Sequence, residues 1–349
     1  MLSSHPQKNL KVAFLVHGTR GDFQPIGLIA KEFKENGHTI IITARERYRY
    51  LMTDILEFTE EEILWFPEDE DTFLEKLVGD PMRRANLFEQ AYLCYTLLNR
   101  EIDKLLHIIF NDERFDDIDL VVTQEYIIPA GVILSLKRKV PLMVLKFSIF
   151  VTSTNEYSIL SPKSAISTSS IFNWLEFQVF NMAAYYYQHT FFKNTLAFHN
   201  LPRMSLANLY YGKFRYQLPS YFLVSKAIYP ELARTPKWWN FFGPVFNKEK
   251  IIPPETKAFL EKCKNETVAA ASGTISIAIP IFEEQSINTR FAVSYGTSLI
   301  LESTKLSEEI LESTINEALK VKDLKEKSQR VRDSSLGTKF IYDDMLSWL

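Results

Sequence analysis

The chemistry in this chain begins at Phe14-Leu15-Val16-His17-Gly18-Thr19-Arg20-Gly21-Asp22-Phe23-Gln24-Pro25, where an apolar run gives way to a glycine-punctuated turn carrying one acid. A carboxylate within hydrogen-bond reach of a substrate hydroxyl can take its proton and act as a general base. Glycines at 18 and 21 let backbone N–H groups approach a ligand closely. The same acid has a plainer use, since Asp22 can cap the helix that follows. The residues alone leave both readings open.

Either job requires the turn to sit at the end of a strand. Leu10 to Val16 reads as a buried strand, and Pro25 to Asn36 carries Ile26, Leu28, Ile29, Ala30 and Phe33 at helical spacing. Gly37 stands where a helix C′ glycine belongs. Thr39 to Thr43 is continuously apolar at its centre, as strands buried on both faces are. This is a βαβ unit, and α/β sheets bind ligands beyond the C-terminal ends of their strands. Asp119 to Thr123 and Val140 to Leu145 read as two more buried strands, separated by a helix from Ile127 to Lys137 and preceded by an amphipathic helix from Glu89 to Phe110. Segment 155–170 is Ser-rich and reads as a loop. Ile171 to Phe198 is a long aromatic helix. Core packing, an interdomain lid and an acceptor- or membrane-facing role all account for it.

Tyr221 to Ser225 reads as a short strand. Asn247 to Thr256, charged and containing Pro253-Pro254, is the expected linker between a first domain, residues 1–246, and a second, residues 257–349. In the second, strands are expected over Ser276 to Pro280 and Thr297 to Leu301, and helices over Glu283 to Ser294 and Ser307 to Lys320. The last of these would bury Ile310, Leu311, Thr314, Ile315, Ala318 and Leu319, with Ser307 as its N-cap.

Composition narrows the class. An apolar fraction of 46% supports a sizeable core, and a net charge of −3 argues against binding nucleic acid through its phosphates. Two cysteines, Cys94 and Cys263, make no disulfide framework and suit a reducing compartment. The residues from Met1 to Lys8 lack the apolar core of a signal peptide, and no apolar run reaches the roughly 18 residues of a membrane span. A cytoplasmic protein is expected, with peripheral membrane contact open to it.

Several chemistries are disfavoured by what the motifs lack. The turn is Gly18-x-x-Gly21 rather than G-x-G-x-x-G, and Arg45 closes the second strand where a dinucleotide-binding protein carries an acid for the ribose. No Walker lysine follows the glycines. No H-E-x-x-H or paired C-x-x-C occurs, so no metal site is expected. Arg20-Gly21-Asp22 spells an adhesion tripeptide, but its place between a strand and a helix argues against that use. Asn265-Glu266-Thr267 spells a glycosylation sequon, which is discounted without a secretory signal.

The run Gly18-Thr-Arg-Gly-Asp-Phe-Gln-Pro25 followed by Gly37-His38-Thr39 resembles the N-terminal domain of nucleotide-sugar glycosyltransferases, above all sterol 3-beta-glucosyltransferases and glycopeptide-antibiotic glycosyltransferases. His199-Asn-Leu-Pro202 resembles a Gly-Leu-Pro that follows the long acceptor-side helix of that family. Ser225 to Pro230, Trp238-Trp239 and Phe242-Gly243 resemble its approach to the linker, and Phe259-Leu260 the opening of its second domain. Gly273 to Gln285 followed by Asn288 resembles its donor-sugar motif. The resemblance implies a GT-B fold, two Rossmann-like α/β domains facing across a cleft. It implies transfer of a sugar, usually glucose from UDP-glucose, to a hydroxyl of a lipophilic acceptor such as a sterol. No metal or cofactor is implied beyond the nucleotide sugar as co-substrate. Asp22 would be the base, Gly18, Thr19, Arg20 and Gly21 the acceptor-side backbone loop, and Glu284 and Gln285 the hydrogen-bonding partners of the donor sugar.

The pattern breaks in the second half. The 96 residues from Pro254 to Leu349 are about half of what the family's second domain occupies. Its Gly-Ser loop and the His-Gly-Gly turn that holds the donor diphosphate have no counterpart, and Lys262-Cys-Lys-Asn-Glu-Thr267 runs directly toward the tail of the donor motif. Ile275 stands where the family usually has proline, and Glu284 where aspartate is common. Without that cradle, no array of N–H groups at a helix N-terminus receives the leaving diphosphate. Two expectations follow. One is a glycosyltransferase with a shortened donor domain. The other is a non-catalytic relative that binds an apolar ligand or partner through its first domain.

Overall fold

The computed structural model describes residues 9–18, 20–67, 87–147, 170–204, 219–223, 239–242 and 245, and, further on, 276–278, 293, 298–301, 307–320, 323, 326–327, 330 and 337–349. A seven-stranded, wholly parallel sheet organises the first part. Its strands are β1 (Lys11–Leu15), β2 (Thr39–Arg45), β3 (Ile63–Phe66), β4 (Leu120–Gln124), β5 (Leu142–Lys146), β6 (Ser220–Phe222) and β7 (Trp239–Phe241), in the order β3-β2-β1-β4-β5-β6-β7. The order reverses between β1 and β4, the switch point at which doubly wound sheets open a crevice for ligands.

Alternation along each strand divides the core into two layers. Ala13 and Leu15 of β1, Ile41 of β2, Val121 of β4 and Val144 of β5 face one side. They pack against α2 (Leu87–Phe110), α3 (Ile128–Arg138) and the C-terminal part of α4 (Ser170–Phe198), through residues such as Ile102, Ile133 and Phe192. Val12, Phe14, Ile42, Val122 and Leu145 face the other side and meet α1 (Arg20–Glu35) through Phe23, Ile26, Ile29 and Phe33. Each such side chain, taken wholly from water, contributes roughly 1.5–3 kcal/mol. Both faces being covered explains the unbroken apolar reading of these strands.

Gly37 ends α1 with φ +85°, as the C′ position requires. The helix begins five residues before the expected Pro25. Proline tolerates the opening turns of a helix, so Pro25 does not mark the start. Asp22 therefore lies inside the first turn rather than at the N-cap. Strands β3 and β7, both short, carry no periodicity that sequence inspection detects. Asn200, φ +55°, takes the left-handed position after α4, inside the stretch that resembles a Gly-Leu-Pro.

In the second part, β8 (Ser276–Ala278) and β9 (Ser298–Ile300) pair in parallel, and α5 (Glu308–Lys320) follows. Ser307 Oγ accepts the Ile310 N–H at 3.3 Å, as its N-cap reading expects. The expected buried face of α5 is only partly so: Ala318 is buried, whereas Ile310, Leu311 and Ile315 are 36–42% exposed. The final helix, α6 (Gly337–Ser347), does not stay with the second part. Ile341, Tyr342 and Met345 are buried in the α1 layer of the first sheet. The apolar stripe of α6 is thus satisfied by the first core. The linker at 247–256 lies outside the described residues, as does the Ser-rich loop up to Ser170, which opens α4, and the helix expected over 283–294 apart from Val293, which is helical. Among the described residues, no helix is long and apolar enough to cross a membrane.

Candidate functional site

The candidate site is built where β1 ends. Two side chains extend the sheet beyond the strand. Thr43 Oγ1 accepts the Val16 N–H at 2.8 Å and donates to the Val16 carbonyl at 3.0 Å. On the other side, Gln124 Oε1 accepts the His17 N–H at 3.1 Å. The chain is thereby stitched to β2 and to β4 up to Gly18, where it turns with φ +129°, a conformation that only glycine adopts without strain.

Gly18 serves a second end. A Cβ built on it would overlap Asp22 Oδ2 and lie 2.9 Å from Asp22 Cγ. The carboxylate thus rests directly over the Gly18 backbone, turned back from the first turn of α1 toward the end of the sheet. Gln124 Nε2 donates to Asp22 Oδ1 at 2.6 Å. Asp22 is half-buried and Gln124 fully buried. Arg20 and Gly21 open the helix on the exposed side. Pro25 has no N–H to give the Gly21 carbonyl, so the helix does not use that acceptor. Thr19, Glu284 and Gln285 lie outside the described residues.

Beneath the turn is a buried polar cluster. Arg45 Nη2 donates to Glu101 Oε2 of α2 at 2.8 Å and lies 2.7 Å from His17 Nε2. The guanidinium can only donate, so His17 Nε2 is its acceptor and the ring keeps its proton on Nδ1. His17 is therefore neutral. Burial pushes its pKa down, and the Arg45 charge adds to this against the opposing pull of Glu101. Burial pushes the Glu101 carboxyl up, but its contacts with His17, Arg45 and Lys104 outweigh this and hold it below the usual range. Arg45, 2% exposed, also stacks its guanidinium over Phe66 at 5.3 Å. The residue that stands where a ribose-binding acid would be is thus a tie between β2 and α2.

Glu125 and Lys146 follow at the ends of β4 and β5, both buried. Glu125 Oε1 accepts the Phe147 N–H at 3.1 Å. Burial lowers the Lys146 ammonium to about 8, partly countered by Glu125. Neither residue carried a sequence signal, and the same is true of Gln124 and Glu101. A hollow of about 570 Å³ opens at the same edge, beyond β2 and β3, lined by Glu46, Arg47, Trp65, Phe66 and Pro67. A second hollow, about 590 Å³, lies against His107, Asn111 and Arg114, at the opposite edge of the sheet from Asp22. His38 ties two distant segments together at the turn into β2. Nδ1 accepts the Leu10 N–H at 3.1 Å and Nε2 meets the Tyr342 hydroxyl at 2.9 Å. No metal-binding cluster of His, Cys, Asp or Glu occurs among the described residues.

An acid held over a glycine turn at a sheet switch point is a place for proton abstraction from a bound hydroxyl. The comparisons agree on the fold around it. No protein-family model matches the chain, and no curated protein does either. Solved structures do match. CalG4, the calicheamicin glycosyltransferase, superposes with TM-score 0.65 at 14% identity, covering 98% of each chain. The kitacinnamycin glycosyltransferase gives 0.63 at 11%, covering 97% of this chain and 99% of its own. SsfS6 of Streptomyces sp. SF2575 gives 0.58 at 10%, with the same coverages. The chain has the α/β fold of GT-B glycosyltransferases.

Proposed function

We propose that this chain transfers a hexose from a nucleoside diphosphate sugar to the hydroxyl of a lipophilic acceptor, with glucose from UDP-glucose and a sterol as the first pair to test. The observation that carries the reading is the Asp22 carboxylate, fixed over Gly18 by Gln124 at the β1–β4 switch point. The fold supports it, and so do two solved neighbours that hold nucleoside diphosphates: SsfS6 with thymidine diphosphate and LpCGTa with UDP.

In this reading the acceptor hydroxyl approaches Asp22 and gives up its proton to the carboxylate. Its oxygen forms a bond to the anomeric carbon as the bond from that carbon to the diphosphate oxygen breaks. The nucleoside diphosphate leaves with the electron pair. Gly18, Thr19, Arg20 and Gly21 flank the hydroxyl, and Glu284 and Gln285 hydrogen-bond the donor sugar. Trp65, Phe66 and Pro67 offer an apolar wall for the acceptor body at the same sheet edge. The test is incubation with UDP-glucose or TDP-glucose and a sterol, read by mass spectrometry. Product is expected, and Asp22→Asn should lower kcat by about 10²–10⁴-fold with acceptor binding retained. Unchanged turnover in that variant removes Asp22 from the mechanism.

A second reading, a non-catalytic binder of apolar ligands, is favoured by the sequence from Lys262 to Gly273, which lacks a diphosphate cradle. It expects sterols to raise the melting temperature with no nucleotide-sugar binding at millimolar concentration.

A further inference from the structure

Gln124 closes β4, is fully buried, and makes two bonds with one amide. Its Oε1 accepts the His17 N–H at 3.1 Å, and its Nε2 donates to Asp22 Oδ1 at 2.6 Å. The first bond dictates the second. A backbone nitrogen can only donate, so the amide oxygen must face His17 and the NH2 group must face Asp22. Flipping the amide would set donor against donor at one end and acceptor against carboxylate at the other.

The charges around this amide are spoken for. Arg45, Glu101, Lys104 and neutral His17 cluster on the β2 and α2 side. Glu125 and Lys146 oppose one another at the ends of β4 and β5. Between them, Gln124 presents Asp22 with a neutral donor. A hydrogen bond given to a carboxylate favours its ionised form. Engaging Oδ1 also turns the group so that Oδ2 lies over Gly18.

We infer that Gln124 is the positioning residue of this site: its amide holds the Asp22 carboxylate in one orientation and in the charged state that proton abstraction requires. The inference rests on the reading of Asp22 as the base. Gln124 acts through Asp22 and is given no contact with substrate. Replacing the amide by an isosteric carboxylate keeps an acceptor for His17 but sets like charge against Asp22.

The test uses the full chain labelled with [¹³C]aspartate, and follows the Asp22 carboxyl by NMR across a pH titration. The signal is assigned by its loss in Asp22→Asn. In Gln124→Glu the titration midpoint should rise by about one pH unit or more, and in Gln124→Ala by less. The acid limb of kcat should move in the same direction. In Gln124→Ala, kcat should fall by about tenfold or more while the acceptor KM changes little. A purely structural role would leave the Gln124→Ala midpoint where it is; an unchanged midpoint in folded Gln124→Ala, or in the folded Gln124→Glu protein, overturns the inference. Should Gln124→Ala fail to fold, Gln124→Glu still decides, because it preserves the bond to His17. If the midpoints shift as expected in the variants but the wild type transfers no sugar to any acceptor, the proposed reaction fails while the NMR result stands on its own.

Discussion

Gly18→Ala tests the site at its hinge. Two costs arise from one methyl group. Gly18 has φ +129°, where a side chain is strained by about 1–3 kcal/mol. The new Cβ would also overlap Asp22 Oδ2 and lie 2.9 Å from Cγ, so the carboxylate must leave its place. Moving it breaks the 2.6 Å bond from Gln124, a hydrogen bond to a charged group worth about 1.5–3 kcal/mol. The single substitution should therefore cost about 2.5–6 kcal/mol. In an Asp22→Ala background the overlap is gone and only the backbone strain persists, about 1–3 kcal/mol. The coupling between positions 18 and 22 is then about 1.5–3 kcal/mol. Urea unfolding of the wild type, both single variants and the double variant measures it. An equal cost of Gly18→Ala in both backgrounds would refute the claim that Gly18 is there to make room for the Asp22 carboxylate.

Two further outcomes follow from the buried charges. Arg45→Met leaves Glu101 buried opposite an apolar side chain and should destabilise by about 3–5 kcal/mol, whereas Arg45→Met with Glu101→Leu should recover much of that; denaturation curves of both variants decide. Lys146 has its folded pKa lowered to about 8, so between that pH and its unfolded value near 10.4 the unfolded chain binds more protons. Stability should therefore gain a contribution as pH rises through this window, and Lys146→Met should lack it, which unfolding at pH 7.5 and pH 10 checks.

The βαβ unit was legible because its signals are local: apolar strands, helical spacing from Ile26 to Phe33, and a glycine at 37 that adopts positive φ. The strand end carrying Asp22 was legible for the same reason. What surrounds Asp22 was not. Gln124 is 102 positions away from it, and Glu101 is 84 from His17 and 56 from Arg45. A buried glutamine, a glutamate on a helix and an arginine ending a strand have no shared pattern until the sheet brings them together. Arg45 shows the cost of local reading. Its position excluded a ribose acid, but its role as a tie to α2 depends on a helix more than 40 residues later. Strand β3 was hidden by brevity, four residues after three glutamates. The α5 face was misjudged because spacing reports which residues share a side, not whether anything covers it.

The placement of α6 bears on how this chain comes into being. His38 and Tyr342 bond across 304 positions, and Phe33 meets the Tyr342 ring edge-on at 4.8 Å. One wall of the first core is therefore supplied by residues that leave the ribosome 304 positions after His38. Until they emerge, the apolar face around Phe33 is open, and everything after β7 has been synthesised in the meantime. Such distant closure is slow and leaves a nascent chain exposed to sticking. A chain deprived of α6 would consequently be injured in the half that carries Asp22, although that helix follows it by more than 300 residues.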